Sequence, residues 1–276
     1  MYSKYTCYDR FMNRYIPTND DITIFEYKNS DGDLIRVYLH KDGWHSATYV
    51  DYEKRNELIF EYTKRFNVIF DMIPNLSKIL MIGAAGYSYP KYVISHYPNV
   101  KMDVVDNDPN CESIARSQFF LDELYSQYHL DENHRLETYI QDGRDYIESC
   151  NKRYDIVIND AFYGMIPLIP LYTVEACEKI KGILNKDGLY VINTPGYSKL
   201  EESTFLLDTI NTLLQVFHNV YLFPAFQPDT ESYQANYIVI GTDGKYSPNG
   251  TIPCPLEDTI IFRDKDIVEL VENYSY

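Results

Sequence analysis

Positive charge is scarce in this chain: 25 Lys and Arg stand against 41 Asp and Glu, a formal net charge of −16 over 276 residues. Such a surface repels phosphates and anionic headgroups, so no nucleic-acid partner and no membrane partner is expected. A small cationic substrate would be attracted, although equal acidity also serves solubility alone. Cysteine is sparse as well. Cys7, Cys111, Cys150, Cys177 and Cys254 share no Cys-x-x-Cys or Cys/His spacing, so no metal site is expected. Their scatter and odd number suit free thiols in a reducing compartment. No apolar run is long enough to span a bilayer, and Met1 to Arg10 lack the apolar core of a signal peptide. The expected location is therefore the cytoplasm. Internal repeats, low-complexity tracts and Ser/His/Asp or Cys/His constellations are also lacking. The 28 tyrosines carry no functional reading by number alone.

What is present centres on Lys78 to Asp108. Ile79 to Ile82 is an unbroken apolar run, as expected of a parallel strand covered on both faces. It ends at Gly83-Ala84-Ala85-Gly86, where small residues let a ligand approach the backbone. A helix is expected from about Pro90 to His96, then a second buried strand over Met102 to Val105, ending in Asp106 and Asn107. Roughly 20 residues separate the glycine turn from Asp106, the spacing at which a carboxylate meets ribose hydroxyls in nucleoside-binding βαβ units. The turn lacks the Gly-x-Gly-x-x-Gly pattern of a pyrophosphate loop: Ala85 replaces the second glycine, and nothing basic is near. A nucleoside without phosphates fits better, with S-adenosylmethionine or a relative as the candidate. The alternative is an ordinary βαβ turn.

Around this centre the elements alternate. Ile22–Tyr27 and Leu34–Leu39 read as a hairpin closed by Asn29-Ser30-Asp31-Gly32-Asp33, with a further short strand over His45 to Tyr49 after the turn at Asp42-Gly43. Glu53 to Ile73 carries Leu58, Ile59, Tyr62, Phe66, Ile69, Phe70 and Ile73 at helical spacing and is expected to be one helix, stopped by Pro74. A helix over Asn110 to Phe120 precedes a polar stretch reaching His134. Strands are expected over Arg135–Ile140, Tyr154–Asn159, Leu189–Asn193, Val220–Phe223 and Tyr237–Gly241. Helices are expected over Tyr172–Leu184 and Leu206–Phe217, and a short one near Asp264–Val271. Domain limits fall at 1–52 for a β-module, 53–245 for the nucleoside-binding domain and 246–276 for a tail. Asp142 and Gly143 follow a strand end, where open α/β sheets bind ligands. Asp142 can accept from an adenine amino group or cap a helix. Asp160 ends the next strand on the same rim. Tyr87 and Tyr89 either wall a pocket or begin a helix, and His45 either touches substrate or is structural.

The order β-hairpin, helix, Ile-Gly-x-x-Gly (Ile82–Gly86), Val-Val-Asp-x-Asp-Pro (Val104–Pro109), Asp-Gly-Arg (Asp142–Arg144) and Tyr-Asp-Ile-Val-Ile-x-Asp-Ala-Phe (Tyr154–Phe162) resembles the spermidine synthase family. This is the aminopropyltransferase branch of the class I S-adenosylmethionine-dependent methyltransferase fold. The resemblance spans about residues 20 to 240. It implies an α/β fold: a Rossmann-like, mostly parallel sheet with an antiparallel last strand, after a small N-terminal antiparallel β-module. It implies decarboxylated S-adenosylmethionine as donor, a small amine as acceptor, no metal, and a homodimer or higher homo-oligomer joined partly through the β-module. Carried over by position, Asp106 would hold the ribose and Asp142 the adenine, while Asp160 would orient and deprotonate the acceptor amine. Asp42-Gly43-Trp44-His45-Ser46 resembles the family's Asp-Gly-x-x-Gln-Ser, with His45 in place of Gln. Two departures stand out. Gly86 lies where the family loop has an Asp that pairs with the aminopropyl ammonium, and Tyr163 replaces the second Asp of Asp-x-x-Asp. Aminopropyl transfer to a polyamine is thus the leading expectation. A methyltransferase using intact S-adenosylmethionine, or a non-catalytic nucleoside- or polyamine-binding protein, are the alternatives.

Overall fold

A computed structural model of the chain describes residues 12–17, 22–41, 43–226, 232–253 and 259–274. Asp42, Cys7 and Cys254 lie outside these residues. The N-terminal module is an antiparallel sheet in the order β1 (Met12–Pro17), β2 (Ile22–Lys28), β3 (Leu34–His40), β4 (Gly43–Tyr49). The expected hairpin is β2–β3; its turn is closed by Asn29 Oδ1, which accepts from the N–H groups of Asp31 and Asp33 at 3.1 and 2.8 Å. Strand β1 is an addition to the expected elements. Alternation gives the module two apolar faces. Ile24 and Tyr38 pack with Ile114 and Phe119 of the larger domain, while Phe25, Ile35, Val37 and Ala47 form a separate cluster.

The single helix expected over residues 53 to 73 is divided. A 3₁₀ turn at Tyr52–Lys54 is followed by α1 (Glu61–Arg65) and α2 (Val68–Met72). Phe60 is extended, so the helix starts only after it. At the break, the N–H groups of Asn67, Ile69 and Phe70 all bond three residues back, tightening the backbone out of α-helical register. The apolar spacing still succeeds in its purpose, since Leu58, Phe66 and Ile69 are buried.

The large sheet has seven strands: β5 (Lys78–Ile82), β6 (Lys101–Asp106), β7 (Leu136–Ile140), β8 (Tyr154–Asn159), β11 (Leu184–Tyr197), β12 (Asn219–Pro224) and β13 (Gln234–Thr242). A two-stranded hairpin, β9 (Phe162–Tyr163) with β10 (Ile166–Pro167), interrupts the series and is not foreseen by the sequence. The order is β12-β13-β11-β8-β5-β6-β7, with β13 antiparallel to both of its neighbours and the remaining pairs parallel. As expected, the last strand in sequence, β13, is the antiparallel one, and with β12 it forms the pair at that edge of the sheet. Helices cover both faces: α3 (Ser88–His96), α4 (Cys111–Gln118), α5 (Leu121–Tyr128), α6 (Leu130–Asn133), α7 (Gly143–Ser149), α8 (Val174–Ile183), α9 (Thr204–Leu214) and α10 (Ile267–Tyr274). Successive residues of β5 explain its unbroken apolar run: Ile79 and Met81 join one core cluster, Leu80 and Ile82 the other. The polar stretch after Phe120 is helical, as α5 and α6. The tail folds back onto the domain, burying Phe262 and Leu270 in the core around β8 and β11.

One buried cation ties the module to the large domain. Lys91 of α3 is 1% exposed and donates to Thr48 Oγ1, the Arg55 carbonyl and the Phe119 carbonyl at 3.0, 2.9 and 2.8 Å. Burial, with the nearby Arg55 guanidinium adding to it, pushes its ammonium down to about 7.

Candidate active site

Strand order reverses between β5 and β8, and their carboxyl ends are in contact. The Asp160 N–H donates to the Ile82 carbonyl at 2.9 Å. A Cβ on Gly83, whose φ is +84°, would fall 2.5 Å from the Asp160 carbonyl oxygen, so only glycine allows this approach. Such a reversal point is where doubly wound sheets hold ligands. A cavity of about 1070 Å³ opens there, large enough for a nucleoside and a second small molecule. Gly83, Ala85, Asp106, Asn107 and Gly143 line one side, and His45, Asp160 and Tyr163 also line it.

At the donor end, Asp106 closes the loop on itself. Its carboxylate accepts from Ala84 N–H at 3.1 Å, Asp108 N–H at 3.0 Å and the Cys111 thiol at 3.3 Å. Ala85 has φ +44° and Tyr87 φ +58°, left-handed backbone that non-glycine residues adopt at a cost of order 1–3 kcal/mol each. Gly143 is fixed by Ile82: a Cβ would stand 2.5 Å from its side chain. Asp142 is an exposed N-cap, its Oδ1 accepting from the N–H groups of Arg144 and Asp145 at 2.7 and 3.1 Å. It does not line the cavity.

Three expected candidates are corrected: Tyr87, Tyr89 and Gly86. Tyr87 is fully buried away from the cavity, its hydroxyl paired with Thr138 Oγ1 at 3.0 Å, because the left-handed turn directs its ring into the core. Tyr89 is buried likewise. Gly86 does not line the cavity either: its N–H donates to Ser46 Oγ at 2.9 Å, and a Cβ would meet Phe119 Cδ1 and Ser46 Cβ, each at 2.8 Å. The position is filled by Ser46 of the docked module and Phe119 of the larger domain, which leave no space for a carboxylate unless they shift.

Asp160 is a cavity carboxyl whose ionisation is disfavoured. Burial pushes its carboxyl up to about 7, against the opposing effect of hydrogen bonds from Asn193 and Tyr62. Asn193 Nδ2 donates to Asp160 Oδ1 at 2.8 Å, and Asn236 Nδ2 donates to Asn193 Oδ1 at 2.8 Å. Asn236 thereby fixes the Asn193 amide with its NH₂ toward the carboxylate. The Tyr62 hydroxyl faces both Asp160 and the His45 carbonyl, the latter at 3.3 Å. Sequence reasoning missed Tyr62, Asn193 and Asn236. Asn193 lies toward the carboxyl-terminal part of β11, and that position was the available signal.

Comparison with known proteins follows the same lines. A family model, the spermine/spermidine synthase domain, matches residues 63–248. The chain belongs to the spermine/spermidine synthase family. A polyamine aminopropyltransferase of Vibrio vulnificus is 32% identical over 191 residues, 65% of this chain and 58% of that protein. The mouse eEF1A lysine and N-terminal methyltransferase is 30% identical over 125 residues, 42% of this chain and 17% of that protein. The chain therefore spans little more than half the length of the first relative and a small part of the second. Among solved structures, a probable spermidine synthase from Corynebacterium glutamicum superposes with a TM-score of 0.67 at 20% identity, covering 86% of this chain and 81% of that one. At that identity the likeness concerns the fold of this spermine/spermidine synthase family member. Among the described residues no cluster of His, Cys, Asp or Glu could hold a metal ion, and no helix is long and apolar enough to cross a membrane.

Proposed function

We propose that this protein is a transferase that binds decarboxylated S-adenosylmethionine and passes its aminopropyl group to an amine, with a polyamine as the leading acceptor; intact S-adenosylmethionine belongs to the methyltransferase reading below. The observation that supports this most is the placement of Asp160. A carboxyl pushed up to about 7 lies in the same cavity as the ribose candidate Asp106, across the reversal point. A general base operates best with a value near the working pH. In this reading Asp106 takes the ribose hydroxyls, Asn107, Gly83 and Ala85 bound the nucleoside, and Gly143 bounds the adenine, while Asp142 caps the helix that positions Gly143. The acceptor nitrogen gives its lone pair to the aminopropyl carbon. An N–C bond forms, and the C–S bond breaks with its electron pair returning to sulfur. Neutral methylthioadenosine leaves, and the nitrogen's proton passes to Asp160. Holding the amine in line is the greater part of such a displacement. A cytoplasmic enzyme and a homo-oligomer joined partly through the module are carried forward from the family resemblance.

The second reading is a methyltransferase. It is favoured by the closed position at Gly86, which leaves no acid on that loop to meet an aminopropyl ammonium. The test is methylthioadenosine release from decarboxylated S-adenosylmethionine and putrescine, with Asp160→Asn as control. Release that disappears in the variant is expected. If the protein binds neither methylthioadenosine nor either donor, the nucleoside reading falls.

A further inference from the structure

Asp160 is held by two amides in series. Asn193 is 3% exposed, and its Nδ2 donates to Asp160 Oδ1 at 2.8 Å. Its Oδ1 accepts from Asn236 Nδ2, also at 2.8 Å. Among the described residues neither amide bonds to any other side chain, so Asn236 is the donor on which the Asn193 oxygen depends. The register of β11 and β13 sets Asn236 opposite Pro195 and Ala235 opposite Gly196, and all four line the same cavity as Asp160. The pair therefore belongs to the wall of the site.

An ionised carboxylate accepts hydrogen bonds and cannot donate one. Toward ionised Asp160, Asn193 must present its NH₂, which leaves its oxygen for Asn236. Toward a protonated Asp160 the amide can also turn round and accept the acid's O–H. A bond to a charged group is stronger than one between neutral groups, and a second bond in series strengthens it further. The two amides together thus favour the ionised carboxyl, against the burial that disfavours it. We propose that Asn236 is a positioning residue for the transfer: by holding the Asn193 amide with its NH₂ toward Asp160, it keeps that carboxyl ready to take the proton of the acceptor amine. This inference rests on the transferase reading, in which Asp160 is the base. The titratable groups that face Asp160 are the hydroxyls of Tyr62 in α1 and Tyr172 ahead of α8, and burial pushes both phenols up, so both stay neutral. His40, Lys41, His45, Asp106, Asp108 and Glu202 also line the cavity, and they are common to every protein compared below.

Asn236→Leu keeps the approximate shape and removes the donor. Asn236→Asp keeps the size but can only accept, so it draws the Asn193 NH₂ to itself and turns the Asn193 oxygen toward Asp160. In both variants Asp160 should ionise at higher pH. The first measurement needs no activity: urea unfolding of each protein is compared with its own Asp160→Asn counterpart from about pH 5 to about pH 9. In the unmodified protein the gap between the two should widen as pH rises and level off above about 7, where the folded carboxyl is ionised. In the Asn236 variants it should level off at least about half a pH unit higher. The second measurement is the pH profile of methylthioadenosine release from decarboxylated S-adenosylmethionine and putrescine, whose acid limb should move up by the same interval. Asn236→Ala serves if the leucine variant gives no cooperative unfolding transition. A levelling point that stays where it was, or moves toward acid, overturns the proposal. So does a shift in Asn236→Asp alone, which is the new charge acting directly on Asp160. A release rate lowered equally at every pH, the mark of a merely structural role, overturns it too. If no protein releases methylthioadenosine, the transferase reading fails, while the urea measurement still decides whether Asn236 sets the ionisation of Asp160.

Discussion

Replacing Asp160 by Asn should make the protein more stable at neutral pH and inactive as a transferase. Asn is the same size and keeps an oxygen to accept from Asn193 Nδ2, so the bond at 2.8 Å can persist. What changes is the charge. Burial holds the carboxyl up to about 7, so its ionised form is disfavoured in the folded chain. The unfolded chain ionises it near the ordinary carboxylate value. The folded state therefore binds the proton more tightly, and its stability falls as pH rises from about 4 to about 7. Taken whole, that interval corresponds to roughly 4 kcal/mol, an upper bound. Because part of Asp160 reaches the cavity and its water, about 1–3 kcal/mol is the expected gain for Asp160→Asn at pH 8. Urea unfolding of both proteins between pH 4.5 and 8, a range set by those carboxyl values, checks this. The two should coincide at the acid end and separate as pH rises. A variant that is less stable at pH 8, or a difference that does not change with pH, would falsify the argument.

Gly86→Ala should cost about 1–3 kcal/mol by overpacking Phe119 and Ser46, and Gly86→Asp more; an unaltered urea midpoint for the alanine variant would show that the position is open. Lys91→Met leaves the Arg55 and Phe119 carbonyls without their donor and should cost about 2–4 kcal/mol. Because the Lys91 ammonium is pushed down to about 7, the unfolded chain holds the proton more tightly. Stability from this group should rise with pH between about 7 and 10, and a slope unchanged in Lys91→Met would refute it. Asp106→Ala should weaken methylthioadenosine binding by about 1.5–3 kcal/mol, read by calorimetry on a variant shown to be folded. Light scattering at micromolar concentration should show a homo-oligomer, and a monomer would remove the interface assigned to the module.

The parts of this fold that could be read from sequence are those set by local chemistry. Ile79–Ile82 and Tyr154–Asn159 announced buried parallel strands because both of their faces are covered, and the acids ending or following β6 and β8 followed from the rule for strand ends. What could not be read depends on contacts distant in sequence. Tyr62 lay within a set of apolar residues at helical spacing, and only the docked β4 places its hydroxyl beside Asp160. Asn236 reaches Asn193 because β13 pairs with β11 in a register that sets Asn236 opposite Pro195 and Ile238 opposite Asn193, a diagonal neighbour relation. Gly86 could be aligned with an acidic position in the family, but alignment cannot show that Phe119 and Ser46 already fill the space. The hairpin β9–β10 has only two residues per strand, too short for any periodicity.

The N-terminal module is better regarded as one wall of the site than as an appendage. Strand β4 is joined to the donor loop and α3 almost residue by residue. Ser46 Oγ accepts from Gly86 N–H, Ser88 Oγ donates to the Ala47 carbonyl at 2.9 Å, and Thr48 Oγ1 accepts from Lys91. At its start, Gly43 packs on the Gly164 backbone, and both line the cavity. The loop that would take the donor contains two non-glycine residues in left-handed conformation, which persist only where the surroundings over-determine them. The β4 contacts supply that constraint. Module docking, loop geometry and the position of Tyr62 against Asp160 are therefore one cooperative arrangement. A lesion at the module boundary, such as at Lys91, acts on the active site through the shape of the loop even though Lys91 touches no part of the cavity.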